Sequence, residues 1–262
     1  MINYNKNEVE VVNGEKANYL IFKKLRKQGV VHAYALKKDD LDFSFGRPNH
    51  DLSYDMLFEE LGIERNTLVE PVQKHTDVIR CIDKVIDTSE LDEVDGLLTN
   101  RENITLSSKN ADCILLFFYD PVKKVIGDVH SGWKGTFKKI ALKTVQKMID
   151  AYKCNPSDIQ VYICPSIRKD HFEVDEDIKE LCEGIFNYFN LEDIIFKGDI
   201  VDGKQKYYID LVQITKKLLL ECKVLEKNII DSEICSVCEQ EEVHSARAEG
   251  ENFKRGTAII KL

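Results

Sequence analysis

Proline is scarce in this chain: five occur singly across 262 residues. No Gly/Ser tract, low-complexity segment or internal repeat interrupts it either. With no linker signal, residues 1–262 read as one continuous domain. Long apolar runs are also missing. None approaches the roughly 18 residues of a membrane-spanning helix, so no membrane association is expected. The N-terminal stretch Met1-Ile-Asn-Tyr-Asn-Lys lacks the apolar core of a signal peptide, which points to a cytoplasmic location. In that compartment the eight cysteines would stay reduced. Cys81, Cys154, Cys182 and Cys222 read as buried small hydrophobes. Positive charge is in deficit as well. A formal net charge of −9 argues against non-specific binding to nucleic acid or anionic membranes. Local Arg and Lys can still hold an anionic small molecule, and a monomer or weak homo-oligomer is expected.

What is present reads as α+β. Short β-like runs fill the first half, at 8–12, 18–22, 30–36, 67–72, 77–82 and 104–108. Cys113-Ile-Leu-Leu-Phe-Phe-Tyr119 is the strongest, a continuous apolar run of the kind buried on both faces. Asp120-Pro121 then turns the chain, and residues 124–130 would return as the partner strand. After Gly135, Phe137, Ile140, Ala141, Val145, Met148, Ile149 and Tyr152 recur at helical spacing. Further helices are expected at about 52–61, 175–189 and 210–222, the last with Asp210 as N-cap. Strands return at 159–163, 229–234 and 257–262. Few βαβ units appear, which favours α+β over a doubly wound sheet.

Three segments carry candidate chemistry: Gln73-Lys-His75, Ala111-Asp-Cys113 and His130-Ser-Gly-Trp-Lys-Gly135. Each places one metal-capable side chain at or beside a strand end. Two imidazoles and a thiolate form the N/S donor set zinc prefers, with a fourth position left for water or substrate. The 113–130 hairpin brings Cys113 and His130 together at its open end. The bland alternative is that each residue is simply packed. Asp95 and Asp112 are possible carboxylates near the ion, with Asp112 as a group that orients a ligand or moves protons. Trp133 would wall the pocket. The helix start after Gly135, with Arg247 and Arg255, would hold an anion such as phosphate. Cys235-x-x-Cys238 resembles half a zinc or redox motif, but no second pair follows. With His244 as the nearby extra ligand, packing is the better reading there.

These motifs resemble the YfiH/YlmD family of laccase-domain or "polyphenol oxidase" proteins, which includes the animal LACC1/FAMIN enzymes. Asp95-Gly-Leu-Leu-Thr99, Cys164-Pro-Ser-Ile167, His171-Phe-Glu-Val174, Cys235-Ser236 and Ser245-x-Arg247 follow in the family's order. The resemblance implies a layered sandwich of mixed β-sheets with flanking helices, CNF1/YfiH-like. It also implies His75, Cys113 and His130 as zinc ligands. The implied activities are phosphorolysis of adenosine, inosine and methylthioadenosine and deamination of adenosine, with a purine nucleoside and phosphate as small-molecule partners. The chain departs from the family pattern at Tyr34-Ala-Leu-Lys37, Cys164, Phe172 and Val243-His244. Lys37 and Arg47 are therefore the substitute candidates for phosphate contact. Cys113 and His130 are the catalytic pair of a rival reading, a thiol hydrolase acting on a peptidoglycan precursor. A copper-dependent phenol oxidase is the other rival. Six histidines are too few for multicopper chemistry, although copper could replace zinc adventitiously. A non-catalytic binding module is a third rival.

Overall fold

The continuous apolar run at 114–120 has both faces covered, and the rest of the architecture is arranged around that fact. A computed structural model describes residue 2 and residues 4–262. Met1 and Asn3, part of the N-terminal stretch read above, lie outside the described residues. In chain order the strands are β1 (Val9–Asn13), β2 (Asn18–Phe22), β3 (Val31–Ala35), β4 (Leu68–Val69), β5 (Ile79–Cys81), β6 (Gly96–Thr99), β7 (Thr105–Asn110), β8 (Ile114–Asp120), β9 (Val125–Ser131), β10 (Gln160–Ile163), β11 (Glu173–Val174), β12 (Ile195–Val201), β13 (Lys204–Ile209), β14 (Ile229–Asp231) and β15 (Gly256–Lys261). They form two six-stranded mixed sheets, in the orders β1-β2-β3-β15-β7-β4 and β14-β10-β8-β9-β6-β5. A small antiparallel sheet, β11-β13-β12, stands beside them.

Alternation along β8 shows the layering. Leu115, Phe117 and Tyr119 face the first sheet, meeting Leu20, Phe22, Tyr34, Leu106 and Ile260 in one core. Ile114, Leu116 and Phe118 face the other way, onto Ile140, Val145 and Met148 of the helix Ile140–Tyr152 and onto Ile214 and Leu218 of the helix Leu211–Glu221. The outer face of the first sheet carries Ala33, Ala35 and Ile259, which pack on Tyr54, Leu57 and Phe58 of the helix His50–Leu61. The layers therefore run helix, sheet, sheet, helix, and the fold is α+β as expected. Among the described residues no helix is long and apolar enough to cross a membrane.

The expected hairpin forms with Ile114 opposite Ser131 and Leu115 opposite His130. Asp120 closes its turn by accepting from the amides of Val122 and Lys123 at 2.8 and 2.9 Å. Asp210 caps its helix, accepting from the Gln213 amide at 2.8 Å. Other expectations need correction. The run at 67–72 yields only Leu68–Val69 as strand, because Pro71 has no N–H to continue the ladder. The helix expected after Gly135 divides into Trp133–Phe137 and Ile140–Tyr152, parted at Lys139, which adopts φ 62°. β6 and the β12–β13 hairpin were not anticipated. The hairpin had a signal: Asp202-Gly203, at φ 50° and 75°, is the turn pair that suits a two-residue loop. Of the four cysteines expected in the core, Cys81 is exposed and Cys222 half-buried, and all eight are free.

One buried ion cluster braces the first sheet. Glu70 is 6% exposed and pairs with Lys109 at 2.7 Å and His50 at 3.2 Å. Burial pushes its carboxyl up, but the His50 and Lys109 beside it outweigh burial and hold it at about 2. A group depressed in this way stabilises the fold above its unfolded value and loses that effect as pH falls through the folded one. Glu70→Gln should therefore cost about 3 kcal/mol at neutral pH. The difference from the unmodified protein should shrink below pH 4.5 and vanish near pH 2 in urea unfolding curves. An equal loss at all pH values would contradict this account.

Candidate metal centre

The three motifs meet where the chain crosses from one sheet to the other. His75 sits on the loop between β4 of the first sheet and β5 of the second. Cys113 ends the crossing from β7 to β8, and His130 lies on β9. Their ligand atoms all lie within 4.8 Å of one another. Cys113 Sγ is 3.7 Å from His75 Nε2, and the His75 and His130 rings stand edge to face at 4.9 Å.

Two anchors fix the His75 loop. The Gln73 side chain pairs with the Lys109 main chain in both directions, each bond 2.8 Å. The second anchor is Asp95, which is fully buried. Its carboxylate accepts from the amides of Lys74, His75 and Thr76 at 3.1, 3.0 and 2.8 Å, and from the Thr76 hydroxyl at 2.8 Å. It also meets His130 Nδ1 at 2.7 Å. With Nδ1 donating to Asp95, Nε2 is the nitrogen left for a ligand. His75 itself holds φ 58° and Asp112, next to Cys113, holds φ 87°. Both are left-handed conformations that cost non-glycine residues of the order of 1 kcal/mol, and such strain concentrates at functional sites.

Burial pushes the Cys113 thiol up, but the His130 and His75 rings outweigh it and bring it down to about 6. Burial pushes His130 down, but Cys113 and Asp95 outweigh that and raise it to about 9. The donor set fits zinc. Tetrahedral bonds of about 2.3 Å to sulfur and 2.0 Å to nitrogen put ligand atoms about 3.6 Å apart, close to the 3.7 Å found. Gly132 makes room for this arrangement. A Cβ there would strike the His75 ring and stand 3.1 Å from Cys113 Sγ. Nothing in the sequence distinguished Gly132 from its motif neighbour Gly135.

A cavity of about 370 Å³ opens on the three ligands. Phe45, Gln73, Lys109, Asn110, Phe253 and Arg255 are among its walls. Arg255 lies over the Phe253 ring at 4.9 Å. On the other side of Cys113 a smaller, mostly apolar pocket is lined by Asp112, Trp133, Ile167, Phe172, Leu211 and Arg247. Of the candidate anion contacts, only Arg255 reaches the larger cavity. Arg247 spends its guanidinium on the carbonyls of His171 and Glu173 at 2.8 and 3.2 Å. Lys37 is paired with Glu249 at 2.9 Å and lines a separate surface groove. Arg47 is exposed and lines neither pocket. Gly135 is buried within a five-residue helix, where a Cβ would crowd the Thr76 carbonyl at 3.0 Å. Its part is close packing against the His75 loop.

The Asp112 carboxylate carries three donors: the hydroxyls of Ser236 and Ser245, each at 2.6 Å, and the Arg247 amide at 2.7 Å. These donors take three of the carboxylate's roughly four acceptor positions and tie Asp112, beside Cys113, to the C-terminal segment. The structure also forms a second cluster, with a partner other than the one expected from sequence. His171, not His244, comes to Cys235 and Cys238, whereas His244 lies against Glu249 at 3.5 Å.

Residues 27–262 match the family model described as multi-copper polyphenol oxidoreductase laccase. The chain belongs to this laccase family. Mouse purine nucleoside phosphorylase LACC1 is 32% identical over 182 residues, 68% of this chain but 40% of that protein. Adenosine deaminase RL5, from an unknown prokaryotic organism, is 31% identical over 206 residues, 76% of each protein. The chain's match thus spans less than half of the mouse relative. The structure of Bacillus licheniformis hypothetical protein YfiH aligns with a TM-score of 0.87, covering 96% of this chain and 98% of that one at 23% identity. The fold is therefore shared with that protein. The laccase family's description names copper. Among the described residues, however, the clusters of possible ligands hold two imidazoles and one thiol, or one imidazole and two thiols.

Gly132→Ala should leave the fold intact, since Gly132 has an ordinary φ of −63°. It should weaken Zn²⁺ binding at least tenfold by displacing His75 and Cys113. Competition with a chromogenic chelator reads the affinity, and circular dichroism checks the fold. Unchanged affinity would show that the close approach at Gly132 does not matter.

Proposed function

We propose that the chain, acting as a single domain, is a zinc-dependent purine nucleoside enzyme. It would carry out phosphorolysis of adenosine, inosine or methylthioadenosine and deamination of adenosine. The observation that carries this reading is a three-ligand N/S cluster opening on a cavity of about 370 Å³ with an arginine and two phenylalanines in its wall. That volume falls within the range of small-molecule sites. The names of the relatives, purine nucleoside phosphorylase and adenosine deaminase, support the same substrate class.

His75, Cys113 and His130 would hold Zn²⁺, which when bound would supply Lewis acidity and lower the pKa of water toward neutrality. The protein's own groups do the rest. Asp95 keeps His130 in the tautomer that offers Nε2. Phe45 and Phe253 present aromatic surface to a purine ring. Arg255, in the cavity wall, would hold phosphate for attack at the sugar carbon. Gln73 and Asn110 are amide groups of the cavity wall, but both Gln73 groups and the Asn110 amide are spent on the framework. They therefore shape the site more than they contact substrate. Asp112 acts through position, holding Cys113 and the Arg247 segment. In phosphorolysis the glycosidic C–N bond breaks as phosphate oxygen bonds to the anomeric carbon, and the purine leaves carrying the electron pair and a proton.

The thiol-hydrolase reading has one observation in its favour: beside His130, Cys113 falls to about 6, within reach of a reactive thiolate at neutral pH. Stoichiometric zinc that shields Cys113 from alkylation supports the nucleoside reading. A reactive, metal-free Cys113 supports the hydrolase.

With adenosine, inosine or methylthioadenosine plus phosphate, chromatography should show free base and sugar phosphate, and inosine should appear from adenosine. His75→Ala and Cys113→Ala should each remove bound zinc and reduce turnover at least a hundredfold. Full turnover by the zinc-depleted protein would overturn the proposal.

A further inference from the structure

His171, Cys235 and Cys238 lie outside the cavity just described, and nothing in that function uses their side chains. Their ligand atoms, one imidazole nitrogen and two sulfurs, all fall within 4.8 Å of one another. His171 Nε2 is 3.1 Å from Cys238 Sγ. The backbone brings them together in three ways. Ser166 bridges to Cys235, and the Ser236 amide donates to the Ser166 carbonyl at 3.1 Å, which fixes the start of the Cys-x-x-Cys turn. The Glu239 amide donates to the Cys235 carbonyl at 3.0 Å, so residues 235–239 make one helical turn and the two thiols, three positions apart, share a face. The His171 amide donates to the Arg168 carbonyl at 2.9 Å, and Arg168 is itself tied to Asp231 at 2.9 Å. The His171 turn and the Cys235 turn are thus held by a common scaffold before any ion arrives.

We propose that these three residues form a second site for a thiophilic divalent cation of the Zn²⁺ type, separate from the first. Two thiolates and one imidazole are a zinc donor set, and with all three ligand atoms within 4.8 Å of one another, small side-chain rotations bring them to the roughly 3.6 Å spacing of tetrahedral zinc. Cys235 is buried while Cys238 is exposed, so the ion enters from the Cys238 side and keeps its fourth position toward solvent. Asp170 and Glu239 add negative charge beside Cys238, which favours a cation there. The site staples two loops that also serve the first centre. Ser236, between the two cysteines, donates to Asp112, and the His171 carbonyl receives the Arg247 guanidinium. An ion at the second site therefore stiffens the wall behind Cys113 without touching the larger cavity. Binding to the native state alone also raises stability by mass action.

The test is metal stoichiometry on the full chain. Wild type, Cys238→Ser, His171→Ala and Cys113→Ala are loaded with Zn²⁺, passed through gel filtration and measured by mass spectrometry for zinc per chain. The expected values are two ions for wild type and one for each variant. Cobalt loading of Cys113→Ala should show the strong thiolate charge-transfer absorption of a two-sulfur site. Loss of one ion in both Cys238→Ser and His171→Ala supports the second site even if wild type holds only one, a result that would count against the first centre instead. Zinc content unchanged by either substitution overturns the proposal.

Discussion

The arrangement depends on one buried carboxylate. Asp95 stands at the start of β6, fully shielded from water, and an unpaired charge there would be costly. Burial pushes it toward the neutral form, but His130 and the donors of Thr76 outweigh that and keep it ionised. Those donors are what a metal site needs. The carboxylate curls residues 74–76 around itself, which aims His75, and it fixes which nitrogen of His130 faces outward. One group thereby satisfies its own charge and aligns two ligands drawn from separate parts of the chain. Networks of this kind are stable when every member is satisfied and fragile otherwise.

The sandwich explains why the site lies where it does. Strands β4 and β7 belong to one sheet, and β5 and β8 to the other. The chain therefore passes from the first layer to the second twice, at the His75 loop and at Cys113, returning once between β6 and β7. Backbone at such a crossing cannot follow strand geometry, which accounts for the left-handed residues His75 and Asp112. The C-terminal segment then closes over the site. Ser236, Ser245 and the Arg247 amide converge on the Asp112 carboxylate, while Phe253 and Arg255 complete the cavity. Stability and site geometry are therefore coupled, because the same polar contacts that fasten the C-terminal segment also tie down Asp112, next to Cys113.

Much of this was readable from residue order. The β8–β9 hairpin was legible because a run apolar on both faces, an Asp-Pro turn and a second apolar run are local signals. The triad was legible because it pairs that hairpin with one more histidine in a small, polar context. The helices at 50–61, 176–186 and 211–221 followed from apolar periodicity, and Asp210 from its capping chemistry. β6 escaped notice because Gly96-Leu-Leu-Thr99 is short and was read as a motif. The break at Lys139 escaped notice because nothing in composition marks a left-handed lysine. Lys37 and Arg247 were read as free cations because their partners lie far off in sequence, at Glu249 and at the carbonyls of His171 and Glu173.

The amino-acid sequence by itself determined the α+β class, the hairpin and three N/S side chains as candidates to meet, because periodicity, turn chemistry and donor type are properties of neighbouring residues. Only the tertiary structure decided that Asp95 aims two of those ligands and that Gly132 must lack a side chain. It likewise decided that Asp112 meets Ser236, Ser245 and the Arg247 amide, and that His171 rather than His244 meets Cys235 and Cys238. Each of these is settled by atoms brought within a few ångströms across long stretches of chain, and that proximity is fixed by how the two sheets stack, which no local pattern encodes.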